Sequence, residues 1–197
     1  IVGSFPWSEV LPYLLAQMIG AMGGSFTVWL LYKDHFNRTA DPAAQLAVFS
    51  TGPAIRNYPL NLFTEITGTF VLVFTVLYFT DATLGNPGTV IGLGSLGALP
   101  VAFLVWAIGL SLGGTTGYAI NPARDLGPRL AYAVLPIKNK QSIDWGYAIV
   151  PVVGPVIGAF AAAGCLSFLL RYWQSRDALH LGGSAALALM SGATVYA

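Results

Sequence analysis

The chain has 197 residues, 55% of them hydrophobic and only 9% charged, where soluble domains carry about a quarter of their residues as charges. That balance excludes an ordinary globular domain and implies an integral membrane protein. A net charge of +1 offers nothing to nucleic acid or an acidic partner, and a single cysteine, Cys165 in an apolar run, excludes an internal disulfide and a cysteine metal cluster.

In chain order, the sequence opens at Ile1 without a starting methionine or a basic leader, which reads as the interior of a longer chain. Apolar stretches long enough to span a bilayer cover residues 11–32, 60–80, 90–112 and 147–172, predicting four membrane helices. Trp7, Trp29, Trp106, Trp145 and Trp173 fall mostly near span ends, as interfacial aromatics do. A long polar connection over 33–58 and a Gly-Pro-containing loop over 81–88 separate the spans, and Asn86-Pro87-Gly88 reads as a turn. Inside the first span Gln17 is read as a buried amide that could hold a loop's backbone groups or equally make a generic interhelical hydrogen bond. Glu65 is the one acid well inside a span; unpaired in lipid it would be expensive, so it should accept hydrogen bonds. An Ile-Gly-Ala core recurs at Ile19-Gly20-Ala21 and Ile157-Gly158-Ala159, which suits corresponding members of two repeats or small residues at helix contacts. His35 and His180 lie outside the spans and far apart, too isolated for a metal site. No paired carboxylates, nucleophile–base arrangement or phosphate-binding glycine loop is present, so the sequence points away from an enzyme and from any cofactor.

Between the third and fourth spans the character changes. Gly113-Gly114-Thr115-Thr116-Gly117 can run extended with free carbonyls, and Asn121-Pro122-Ala123-Arg124-Asp125 starts a helix. Asn121 suits the N-cap, Pro122 the first position, and Asp125 the positive end of the dipole. The helix is expected over 121–135, ended by Pro136 and too short to cross a bilayer. A half-helix at membrane depth must be buried in protein or line a water-filled path, because lipid cannot satisfy its free N–H groups. Arg124, three residues past Asn121, shares roughly its face. There it would repel cations while donating hydrogen bonds.

Asn121-Pro122-Ala123-Arg124 resembles the second Asn-Pro-Ala box of the aquaporin family, and Asp125 directly after the Arg resembles its glycerol-facilitator (aquaglyceroporin) branch. The resemblance implies an all-α membrane protein, an inverted-repeat helical bundle with a re-entrant half-helix. Residues 1–59 would be the family's third span with its connection, 60–173 the complete second repeat, and 174–197 a tail of unknown role. Two earlier spans and a first half-helix with its own Asn-Pro-Ala box have no counterpart here. Asn121 would present its amide at the pore midpoint and Arg124 would form the narrow constriction, its rival role being an ion pair with Asp125 or Glu65. Tyr118 would supply an aromatic wall, Gly109 room for a carbon backbone, and Gly117 and Ala119 lining. Glu65, Gln17, Pro122, Ala123 and Asp125 would support the pore loop. The implied function is a passive channel in the cell membrane for glycerol, related small neutral solutes and water, excluding ions and protons, in a homotetramer within the lipid bilayer. Rival readings are a pore preferring water or lactic acid, a non-conducting assembly subunit, and an ion-coupled transporter relying on Glu65. Charge alone would put the end with Lys33, Arg38, Arg56, Lys138 and Lys140, besides Arg124 and Arg129 of the half-helix, in the cytoplasm, against Arg171 and Arg176 at the other end. The resemblance implies the opposite, with the half-helix loop entering from outside.

Overall fold

Three helices begin on the same device, an Asx side chain followed at once or one residue later by proline. Asp41 accepts from the Ala43 N–H at 2.8 Å, Asn57 from Leu60 at 3.3 Å and Asn121 from Ala123 at 2.9 Å. Proline in the first turn gives up no intrahelical bond, so these starts are sharp. The computed structural model describes residues 5–80, 82–85 and 89–180, the last five by backbone alone. Its helices are α1 (Trp7–Leu31), α2 (Lys33–Arg38), α3 (Pro42–Ala47), α4 (Tyr58–Tyr78), α5 (Leu99–Leu112), α6 (Pro122–Val134) and α7 (Ile149–His180). Strands β1 (Thr83–Leu84) and β2 (Thr89–Val90) pair antiparallel between α4 and α5, Thr83 opposite Val90. The Asn86-Pro87-Gly88 turn lies outside the described residues.

Four segments are long and apolar enough to cross a membrane: Trp7–Leu31, Tyr58–Tyr78, Gly94–Leu112 and Ile149–Ser175. Two expected boundaries are corrected. The third span does not begin at residue 90: β2 ends there, a 3-10 turn covers Gly94–Leu96, and α5 starts at Leu99. Gly92 and Gly94 take positive φ (60° and 52°), which a continuous helix cannot contain. The last helix runs on to His180, so residues 174–180 of the expected tail are helical. No Gly or Pro interrupts them before Gly182.

Packing depends on missing side chains. α4 lies along α7, where a Cβ added at Gly154 would stand 2.6 Å from Glu65 Cβ, and one at Gly158 2.9 Å from Thr69 Cβ and hard against the Ile66 carbonyl. α1 meets α6 at Gly127, where an added Cβ would come 2.7 Å from Ala21 Cβ. Small residues four apart let helix backbones approach closely in a medium with little hydrophobic drive between helices. The repeated Ile-Gly-Ala core is used differently at its two sites: Gly158 is pressed on α4, whereas nothing lies within 4 Å of a Cβ at Gly20.

The 33–58 connection folds rather than trailing across the surface. Phe36, Leu46 and Phe49 form a core with Ala131, Tyr132, Leu135 and Ile137, with the Phe49 and Tyr132 ring centroids 5.3 Å apart. Gln45, 1% exposed, closes this layer by donating to the Phe36 and Thr39 carbonyls at 3.0 and 2.9 Å. The connection therefore clamps the C-terminal half of α6.

Gly158→Ala should destabilise the folded chain by about 1–3 kcal/mol, since a methyl there forces backbones apart. Gly164→Ala, with open space at its Cβ, should leave thermal unfolding in detergent nearly unchanged. Equal effects of the two would show that the α4–α7 crossing is not a close-packed contact.

Candidate functional site

The approach to α6 hangs on one carboxylate. Glu65 on α4, 1% exposed, accepts at Oε1 from the Thr116 hydroxyl (2.6 Å) and the Ala119 N–H (3.0 Å), and at Oε2 from the Ile120 N–H (2.8 Å). These charge-assisted bonds use donors that lipid could not satisfy. They hold a contorted backbone: Gly117, Tyr118 and Ile120 sit at φ 78°, 39° and 45°. For Tyr and the β-branched Ile this conformation is costly and persists only where the surroundings impose it. Gly68 makes room for Ile120, since a Cβ on Gly68 would lie 3.1 Å from Ile120 Cγ2.

With its N–H groups turned toward Glu65, the loop keeps its carbonyls uncommitted. Gly113 O accepts from Gly117 N and Thr115 O from Ala54 N, but the carbonyls of Gly117, Tyr118 and Ala119 accept nothing among the described residues. Asn121 caps α6 through its side-chain oxygen, which aims its amide Nδ2 outward, 3.5 Å from Gln17 Oε1. Gln17 is exposed rather than buried; it holds no loop backbone group and meets the Asn121 side chain instead, because the face of α1 that bears it is uncovered in this chain.

Arg124 is exposed, its guanidinium carbon 5.8 Å from the Tyr118 ring centroid. It has no hydrogen bond or ion pair among the described residues. Asp125 and Glu65, its possible ion-pair partners, are both engaged elsewhere. An open cleft of about 290 Å³ reaches it, walled by Ala21, Ser25, Val28, Phe49 and Pro128. The space beside Gly109 is not left open. The Tyr118 ring fills it, with Cζ 3.0 Å from where a Gly109 Cβ would stand.

Asp125 turns away from the site. Its Oδ2 accepts from the Thr51 N–H (2.7 Å) and hydroxyl (2.6 Å), and Oδ1 from Arg129 Nε at 2.8 Å. Arg129, fully buried, also donates to the carbonyls of Ile143 (2.8 Å), Asp144 (3.2 Å) and Thr51 (3.0 Å). Every donor direction of the guanidinium finds an oxygen, so the charge is matched where water is absent. The network fastens α6 to the connections before α4 and before α7. A second tie lies at the surface, where Arg56 reaches both Asp144 carboxylate oxygens and stacks over Tyr58 and Tyr147 at 5.8 and 5.5 Å. Arg56 holds the Asp144 carboxyl below the usual carboxylate range, partly opposed by burial of the acid.

Arg129 and Thr116 were not among the residues expected to build the site. The signal for Arg129 was the four-residue step from Asp125, which puts both on one helix face. Thr116 carried no comparable mark.

Removing one partner of the buried pair is expected to cost more than removing both. Arg129→Met should destabilise by about 3–5 kcal/mol, and adding Asp125→Asn should recover part of that; a double variant worse than the single one would contradict the pairing. Acid should act on the outer tie. Asp144 has a lower value folded than unfolded, so its contribution is complete above about pH 4 and lost as acid titrates through the lower folded value. Arg56→Gln should flatten the fall in stability below that pH in chemical denaturation, and an unchanged slope would show that the tie does not act in solution.

Residues 1–166 match the family described as Major intrinsic protein. The chain is 51% identical over 168 residues to a "Probable glycerol uptake facilitator protein" of Thermotoga maritima, covering 85% of this chain and 68% of that one. It is 53% identical over 160 residues to a "Glycerol uptake facilitator protein" of Streptococcus pneumoniae, covering 81% and 65%. Among solved structures, the aquaglyceroporin from Plasmodium falciparum superposes with a TM-score of 0.63 at 28% identity, over 83% of this chain and 65% of that one. The chain thus spans about two thirds of the length of these relatives. With four membrane-crossing helices, a re-entrant half-helix and the Asn121 to Asp125 start, it belongs to the major intrinsic protein family, in its glycerol-facilitator branch, a family of membrane channels and not of enzymes.

Proposed function

We propose that this chain lines a passive channel in the cell membrane for glycerol and related small neutral solutes, which also passes water and excludes ions and protons. The observation that carries this reading is Arg124, a guanidinium left without an ion-pair or hydrogen-bond partner among the described residues. It stands over the Tyr118 ring, and the carbonyls of Gly117 and Tyr118 are uncommitted among the described residues. A permeating solute meets donors from Arg124 and the Asn121 amide, acceptors from the loop, and hydrocarbon from the Tyr118 ring. That lining suits a molecule with hydroxyls on one side and carbons on the other. A fixed cation beside the solute's path, together with the positive end of α6, raises the barrier to cations and to proton passage.

Glu65, Asp125, Pro122 and Ala123 hold the lining rather than forming it, and Gln17 meets the Asn121 amide at 3.5 Å. The loop enters from the outer face of the membrane. The working unit is a homotetramer in the bilayer, the assembly implied by the family.

Stopped-flow light scattering on liposomes carrying the chain tests this reading. A glycerol gradient should give fast shrinkage followed by fast re-swelling, and Arg124→Ala should keep that response while letting protons through to a trapped pH dye. Shrinkage without re-swelling would indicate a water pore. Traces matching empty liposomes, with insertion confirmed, would refute conduction by this chain and favour a non-conducting assembly subunit.

A further inference from the structure

We propose that Gly113 is a specificity-determining residue of this channel: with Gly109, it forms a seat without side chains on α5 that keeps the Tyr118 ring out of the passage. The inference rests on the channel reading above and adds what sets the width beside Arg124.

Gly109 lies in the last turn of α5 and Gly113 caps its C-terminal end in helical conformation, so the two lie one turn apart on the same side. A Cβ on Gly113 would stand 2.7 Å from Tyr118 Cδ1, and one on Gly109 3.0 Å from Cζ and 3.3 Å from the hydroxyl oxygen. The ring therefore lies along the helix, its inner edge over Gly113 and its phenol end over Gly109. Carbon atoms in ordinary contact stand about 3.5–4.0 Å apart. The ring could yield a few tenths of an ångström to a methyl at Gly109, but a methyl at Gly113 must displace it.

The backbone cannot absorb that displacement cheaply. Tyr118 is held at φ 39°, and the next two N–H groups are fixed on Glu65 at 3.0 and 2.8 Å. The ring must instead swing off α5 into the passage it shares with the Arg124 guanidinium, now 5.8 Å from its centroid. A narrower opening there rejects a three-carbon solute before it rejects water. Aperture is then a property of the pair of glycines, and the identity of residue 118 sets only what fills the seat.

A methyl on Gly113 would also meet the carbonyl of Gly109, so the single substitution does not isolate the seat. The test is a double-variant cycle on the full chain in liposomes, with Gly113→Ala, Tyr118→Ala, both together, and Gly164→Ala as a control. Gly113→Ala should lower the ratio of glycerol to water permeability by about tenfold, taking one overpacked methyl as one decade in rate. In the Tyr118→Ala background the same substitution should change the ratio little. An equal loss in both backgrounds, or none in either, would overturn the seat. If even the parent chain passes no solute, the channel reading fails on its own and the seat is read from thermal unfolding. There the Gly113→Ala shift should be smaller in the Tyr118→Ala background, the clash with the Gly109 carbonyl alone remaining, and additive shifts would overturn the seat.

Discussion

A carboxylate buried at membrane depth is the constraint from which the site follows. Backbone that leaves helical geometry inside a bilayer exposes N–H groups that lipid cannot bond. The residues leading into α6 do this while twisting three of four consecutive positions into positive φ. Glu65 resolves both problems with one side chain by taking Thr116, Ala119 and Ile120 onto two oxygens. The carbonyls of Gly117 and Tyr118, which lie between those donors in the chain, accept nothing among the described residues.

The far end of the half-helix is held by different means. Asp125 and Arg129 form an ion pair with side-chain exposures of 0% and 1%, and such a pair earns stability only when its remaining donors and acceptors are filled. Here Thr51, Ile143 and Asp144 fill them, so the same bonds that solvate the charges join α6 to two connections. Arg124 and Asn121 project from a helix fixed at its start by Glu65 through the loop and along its length by Thr51 and Asp144. The free cation is one residue from the buried acid yet unpaired with it, because adjacent side chains on a helix point about 100° apart. Rigid support around an unsatisfied charge is what a selective lining requires.

Much of this was legible in the residues. The half-helix could be placed from Asn121, Pro122 and Pro136 because caps and breakers act locally, and a lone acid in a span demanded donors, which the loop before Asn121 or Arg124 could give. Gln17, read as buried, is exposed, since its environment depends on what covers α1 and the sequence of α1 cannot say. The start of α5 was set too early because apolar composition continues through residues 90–98 while glycines with positive φ break the helix. Phe36, Leu46 and Phe49 marked a folded connection in a stretch read as merely polar. The filling of the Gly109 space by Tyr118 was beyond reach of the sequence, since it depends on a backbone angle that Tyr rarely adopts.

The clamp is tested most directly by amide hydrogen exchange at Ala119 and Ile120 in the chain and in its Glu65→Gln variant, reconstituted in lipid. An amide side chain places a donor where the carboxylate had an acceptor, so at least one of the three bonds must be lost. Slow exchange at both amides in the parent chain, accelerated by at least about tenfold at one of them in the variant, is the expected result. Exchange at the same rate in both proteins would mean that the loop keeps its shape without Glu65, contradicting the central role given to that carboxylate.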